Sequence, residues 1–191
     1  MLKYLHLTKL QWKGVLKWAL YSLLCLFVLL LQTVVLSKRP VFGVKISLLP
    51  ICVVCICVRE GPEKGGLFSL LASLFWCLSG EDYGNLLVAV LPIGSILAAV
   101  LCRAVLTVRF LPTGLCAFGV NWLCASAVFA FKLILPPGAS AANSWQAKTA
   151  TISFSNYWRV LLPGIFLSML VFPLLYVLIK AIGRIGVRHD V

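Results

Sequence analysis

Acidic side chains are the scarcest chemistry in this 191-residue chain, which has five Asp and Glu against seventeen Lys and Arg, and only two His and two Met. The acids, Glu60, Glu63, Glu81, Asp82 and Asp190, fall in polar turns or the tail, outside the apolar runs. An ion-coupled pump holds a carboxylate at membrane depth to carry or coordinate its ion, and the apolar runs offer none. His6 and His189 lie in the terminal segments. The sequence therefore presents no histidine cluster for a metal and no paired acid and base for hydrolysis. Ser69, Ser73, Ser79 and Ser95 lack a histidine or carboxylate placed to activate them. These gaps lead to an expectation of a non-enzyme without cofactor or metal.

Charge of either sign is also sparse: 12% of residues are charged and 62% hydrophobic, with a mean hydropathy of +1.05. A water-soluble domain of this length would have too little polar surface to cover itself. Apolar runs bounded by charges recur along the whole chain, so the bilayer is the expected solvent and residues 1–191 read as one membrane domain. The net charge of +12 would point to nucleic acid in a soluble protein. Here the cations sit at the ends of apolar runs, the pattern of anionic-lipid contact and orientation signalling, and no basic stretch is built to track a phosphate backbone. The eight cysteines all lie within apolar runs and read as small packing residues. Cys52-Val-Val-Cys55 has metal or redox spacing but lacks the second pair or histidines of a zinc site.

The expected fold is an all-α bundle of about six transmembrane helices, spanning 18–36, 41–58, 65–79, 84–108, 111–132 and 160–180. The first run, Trp18 to Leu36, has no convincing small-x-small cleavage site after it and reads as a retained helix. The third is short, roughly 24 Å by helical rise, and needs bilayer thinning or an extension into its flanks. Glycine and proline punctuate the turns Arg59–Gly66 and Ser79–Asn85. The long connection 136–158 carries Trp145, Phe154, Tyr157 and Trp158 and suits a segment at the membrane interface. With six spans, eleven of the seventeen cations fall on the side of the two termini, which assigns both termini to the cytoplasm by the positive-inside tendency.

Two sets of residues stand out as candidate sites. Gly65, Ser69, Ser73 and Cys77 recur every fourth position and share one helix face. Small residues allow close helix approach in lipid, so this stripe serves packing within the bundle or contact with a partner protein. Arg103, Lys132 and Lys45 are expected to snorkel at span ends. Asn121 falls near the middle of the fifth span, where an uncompensated amide is costly, so it is expected to face protein as a structural hydrogen bond or a cavity lining.

The order and spacing of several short motifs resemble a known family. Arg59-Glu60-Gly61-x-x-x-Gly65-Gly66-Leu67-Phe68-x-Leu70-Leu71-Ala72, then Leu74-x-Trp76, Ser79-Gly80 and Tyr83-Gly84-Asn85, is similar to the rod shape-determining MreD proteins of bacteria, particularly the clostridial type. Arg159-Val-Leu-Leu-Pro163 and Pro173-Leu-Leu-Tyr176 resemble that family's last span, and Gln32-Thr33 suits the close of its first. Many relatives carry an aspartate where this chain has Cys77, so any role of that carboxylate is in question here.

The resemblance implies a non-enzymatic scaffold of the cell-elongation machinery in the bacterial cytoplasmic membrane. It would act beside MreC-like, MreB-like, glycan polymerase and transpeptidase partners. Arg59, Glu60, Gly61, Gly66, Ser79, Gly80 and Gly84 are the family-motif positions, and the loop Glu60 to Gly66 is a candidate contact alongside the small-residue stripe. The family is also similar in architecture to the six-helix substrate-binding components of energy-coupling-factor vitamin transporters. That gives an alternative function, for which Trp76, Asn85, Asn121, Trp122 and the 145–158 segment are the available cavity material. Nucleic acid is not an expected partner, and on the scaffold reading neither is a small-molecule ligand. A pore finds no charge ring or filter sequence.

Overall fold

A computed structural model describes residues 9–36, 46–79, 84–105, 108–134 and 162–184. Among the described residues the regular structure is entirely helical. The helices are α1 (Lys9–Leu30, continued by a π-helical segment Leu31–Leu36), α2 (Leu49–Glu60), α3 (Pro62–Leu78), α4 (Gly84–Ala104), α5 (Phe110–Ile134) and α6 (Leu162–Arg184). Four stretches are long and apolar enough to cross a membrane: Trp12–Val34, Leu86–Ala104, Phe110–Ala130 and Leu162–Arg184. The other two helices, α2 and α3, rise only about 18 and 26 Å, short of the ~30 Å hydrocarbon core.

The architecture is organised around α2. Every residue from Leu49 to Val58 is buried, and α2 packs against all five other helices. A helix that is apolar on all sides belongs inside a protein, and this one forms the axis of the bundle. Its neighbours bury one face each and turn the other outward. On α3 the inward residues are Gly65, Gly66, Phe68, Ser69, Ala72, Ser73 and Trp76. Its outward residues are Leu67, Leu70, Leu71, Leu74, Phe75 and Leu78, each more than 40% exposed. Such an apolar exterior is a liability in water and the normal state in lipid.

Several boundaries depart from those expected. The second span was expected over 41–58, but Ile46, Ser47 and Leu48 are not helical and the helix starts at Leu49. The reason is Pro50, which has no N–H to donate and is tolerated in the first turn of a helix but not in its interior. The first helix starts earlier than Trp18, so that Lys13 and Lys17 lie within it. The third starts at Pro62, where Gly61, at φ +106°, closes α2 and lets Pro62 open α3 at once. The fourth stops at Ala104, not 108. Expected bounds of 111–132 and 160–180 become Phe110–Ile134 and Leu162–Arg184. The 136–158 connection and the chain's terminal residues lie outside the described residues.

Packing fixes the relative directions. Lys17 and Tyr21 of α1 meet the end of α2 at Glu60, while Gln32 meets its start, so α1 and α2 are antiparallel. Ser168 meets Ser47 and Gly183 meets Arg59, so α6 runs parallel to α2. A β-carbon at Gly65 would lie 2.5 Å from the Cys57 Cα and one at Gly66 would lie 2.9 Å from the Ile96 side chain, so both glycines are needed for α3 to approach α2 and α4. Pro92 cannot donate to the Val88 carbonyl four residues back, and the Ser73 hydroxyl, which donates to Leu70 O at 2.8 Å, lies 3.4 Å from that orphan oxygen. Gly114 seats the Phe172 ring, which also contacts Phe110 and Tyr176 and closes α5 on α6.

Candidate functional site

The two ends of α2 are where the polar chemistry of the bundle collects. At the start of a helix the first N–H groups have no partner within the helix, and inside a membrane protein no water is at hand to supply one. The backbone N–H groups of Leu48 and Leu49 both donate to Gln32 Oε1, at 3.0 and 3.1 Å, and Gln32 is 4% exposed. The Ser47 N–H donates to Ser168 Oγ at 3.2 Å, while that hydroxyl donates to Gly164 O at 2.7 Å. Gln32 lies within the π-helical segment, a local widening of the kind that re-aims side chains at functional positions.

The other end is ionic. Lys17 Nζ donates to Glu60 Oε2 at 2.5 Å and the Tyr21 hydroxyl donates to Glu60 Oε1 at 2.9 Å, so both carboxylate oxygens are satisfied. The Lys17 ammonium also lies 5.9 Å from the centre of the Tyr21 ring. From α4, Arg103 donates to Arg59 O at 2.9 Å and approaches Val58 O at 3.5 Å, with its guanidinium over Gly61. A cation placed on the last carbonyls of a helix complements both their lone pairs and the helix dipole. Arg59 itself lies flat against α6: a β-carbon on Gly183 would overlap its guanidinium, which is why glycine stands there.

The family-motif positions thus divide. Arg59, Glu60 and Gly61 form one cluster, and Gly65 and Gly66 are close-packing positions on the following turn of α3. Ser79 ends α3 some distance along the chain, its hydroxyl donating to Trp76 O at 2.6 Å. Gly84 is the first residue of α4 and Gly80 lies outside the described residues.

Along the stripe Gly65, Ser69, Ser73, Cys77, the first three residues are buried within the chain and Cys77 is half-buried. Ser69 and Ser73 are fully buried against the chain's own helices, and Gly65 rests on Cys57 of α2. Of the two readings of that face, internal packing describes Gly65, Ser69 and Ser73. Of the residues read as cavity material, the 145–158 segment lies outside the described residues. Trp76 is buried on α3, which packs on α4 and α2, and Asn121 is 2% exposed on α5, which packs on α4, α2 and α6. Trp122 is 47% exposed, and the Asn85 side chain lies outside the described part.

Lys17 and Tyr21 join the site unexpectedly, and Glu60 and Arg103 take roles other than those expected of them. Lys17 and Tyr21 were hidden because Lys17 reads as a flank of the first span, although a Lys at one position and a Tyr four later share a helix face. Glu60, expected in a loop, is the last residue of α2 with a 9% exposed side chain. Arg103, expected to snorkel, caps α2. Cys102 and Cys116 bring their sulfurs to 3.3 Å across α4 and α5.

Beside the ionic cluster is a small cleft between α2, α5 and α6, lined by Cys55 and Arg59 of α2, Val108, Thr113, and Tyr176, Ile179 and Lys180 of α6, with a volume of about 10 Å³. That is the space of one water molecule, far below the several hundred Å³ that a vitamin-sized ligand fills. Compared with protein-family models, with curated proteins and with solved structures, the chain matches none.

Proposed function

We propose that the chain is a non-enzymatic membrane scaffold of the bacterial cell-elongation machinery, of the kind formed by the rod shape-determining MreD proteins it resembles. One observation carries the reading. The segment in which the resemblance is most specific, Arg59 to Gly66, is also the segment that joins the bundle together. Glu60 engages α1, the Arg59 carbonyl receives Arg103 of α4, the Arg59 side chain covers Gly183 of α6, and Gly65 seats α3 on α2. A scaffold must hold its outer faces in fixed relative positions, and this junction does so.

In this reading the chain is a multi-pass protein of the cytoplasmic membrane, with α2 and α3 completing six spans together with their flanks. The end that gathers Lys17, Arg59, Arg103 and Lys180 faces the cytoplasm, as the excess of cations there favours. With Ser69 and Ser73 taken by internal packing, contacts to MreC-like, MreB-like, glycan polymerase and transpeptidase partners fall to the outward apolar face of α3, where Leu71, Leu74 and Phe75 stand exposed. Helices associate in lipid through such van der Waals surfaces.

Depletion of the chain in the bacterium that encodes it should widen and round the cells. A photo-crosslinking residue at Leu71 or Phe75 should capture another membrane protein of that machinery. Unaltered cell width together with no adduct at either position would overturn the proposal. Saturable quenching of the six tryptophans by a vitamin would assign the chain to transport instead.

A further inference from the structure

We infer that the cleft between α2, α5 and α6 is a seat for the phosphate of an anionic phospholipid headgroup. The recess presents two cations from two helices, Arg59 of α2 and Lys180 of α6, and the hydroxyl-bearing Tyr176 beside them. Neither cation has a carboxylate within ion-pair distance among the described residues. Glu60, next to Arg59, has both oxygens occupied by Lys17 and Tyr21. The remaining walls, Val108, Ile179 and the buried Cys55 and Thr113, carry no acidic group to answer that charge. The Thr113 hydroxyl is already spent on Arg109 O at 2.7 Å. Arg59 also reaches the Tyr21 hydroxyl that holds Glu60, so its charge is shared with that cluster, whereas Lys180 has no such neighbour in the lining of the cleft. Together the two cations over low-dielectric walls focus a positive potential at the mouth of the cleft.

The size of the recess selects among the sources of phosphate. At about 10 Å³ it is too small to enclose the group, which must rest at the open mouth with part of its surface in water. A free phosphate held so loosely would not stay. A lipid is retained by its acyl chains, for which the flanking helices provide the surface: α5 turns Leu111 and Leu115 outward and α6 turns Leu174 and Val177 outward, each more than 60% exposed. Basic recesses between transmembrane helices recognise anionic headgroups in this manner, with each cation near the surface worth about a fivefold gain in binding.

The inference stands apart from the scaffold reading and survives its failure. The test is native mass spectrometry of the full chain released from detergent after exposure to phosphatidylglycerol or phosphatidylcholine. The unmodified chain should retain one phosphatidylglycerol in preference to phosphatidylcholine, and millimolar inorganic phosphate should leave that adduct in place. Lys180→Gln, at an exposed position that folding does not depend on, should weaken retention about fivefold, and Arg59→Gln with it should abolish the preference. Lys64→Gln, a cation outside the cleft, should change nothing. Equal retention of the two lipids, retention unaffected by Lys180→Gln, or complete displacement by phosphate would each overturn the assignment.

Discussion

The two ends of α2 meet the same physical problem with opposite chemistry. At its start, unpaired N–H groups are met by neutral acceptors, Gln32 and Ser168. At its end, unpaired carbonyls and an acidic side chain are met by full charges, Arg103 and Lys17. The helix dipole would favour an anion at the first end, yet an amide and a hydroxyl stand there. The difference follows from what else is near. Charges at the second end gather with Arg59 and the exposed Lys180 at one end of the bundle, where long side chains can keep their charged groups in contact with water. Gln32 is buried within an uncharged stretch of α1, where an ionised group would carry a desolvation cost of several kcal/mol and an amide carries much less.

That contrast can be broken from the ionic side first. Glu60→Leu leaves the Lys17 ammonium partly buried without its partner and should lower stability by about 3 kcal/mol, read as the midpoint of detergent-solubilised thermal unfolding. Adding Lys17→Met should recover most of the loss, because the penalty lies in the unpaired charge. At the neutral end, Gln32→Leu strands two buried N–H groups and should cost about 2 to 3 kcal/mol. Gln32→Glu separates the two causes: were the helix dipole to govern this end, the anion would be tolerated, whereas burial predicts that the variant falls as far as Gln32→Leu.

Smaller effects follow along the axis between the two ends. Gly65→Ala forces α3 away from the Cys57 backbone and should cost about 1 to 3 kcal/mol by overpacking. Arg103→Gln removes the cationic cap from α2 while leaving those carbonyls near water, and should cost about 1 kcal/mol. Hydrogen exchange of the last turn of α2 in bicelles would show it as faster opening confined to that turn.

The membrane character and the helical class were legible from hydropathy alone, because twenty-residue apolar runs admit few other solutions in lipid. The position of α2 was not. Its sequence, Leu49-Pro50-Ile51-Cys52-Val53-Val54-Cys55-Ile56-Cys57-Val58, reads equally well as a lipid-facing span, since protein interior and hydrocarbon select the same side chains. Pro50 was the available sign that the helix begins inside the expected span, and Gln32, a single amide in an apolar run, was the sign that a backbone needed an acceptor there. The small-residue stripe was correctly placed on one face of α3, but sequence has no means of telling an internal neighbour from an external one. The ionic junction was hidden because its members are spread from Lys17 to Gly183.

α2 is enclosed by the chain's own helices, while α3 and α6 each turn an apolar face outward, which in a membrane is the face that meets lipid. A diazirine dissolved in the acyl phase of vesicles holding the full chain, activated by light and mapped by peptide mass spectrometry, reads this directly. Label should fall on Leu67, Leu71, Leu74 and Phe75 of α3 and on Leu170, Leu174 and Val177 of α6, with residues 49–58 left unmodified. Modification of 49–58 at the level of α3 would contradict the buried axis, and a chain unlabelled throughout would contradict its place in the membrane.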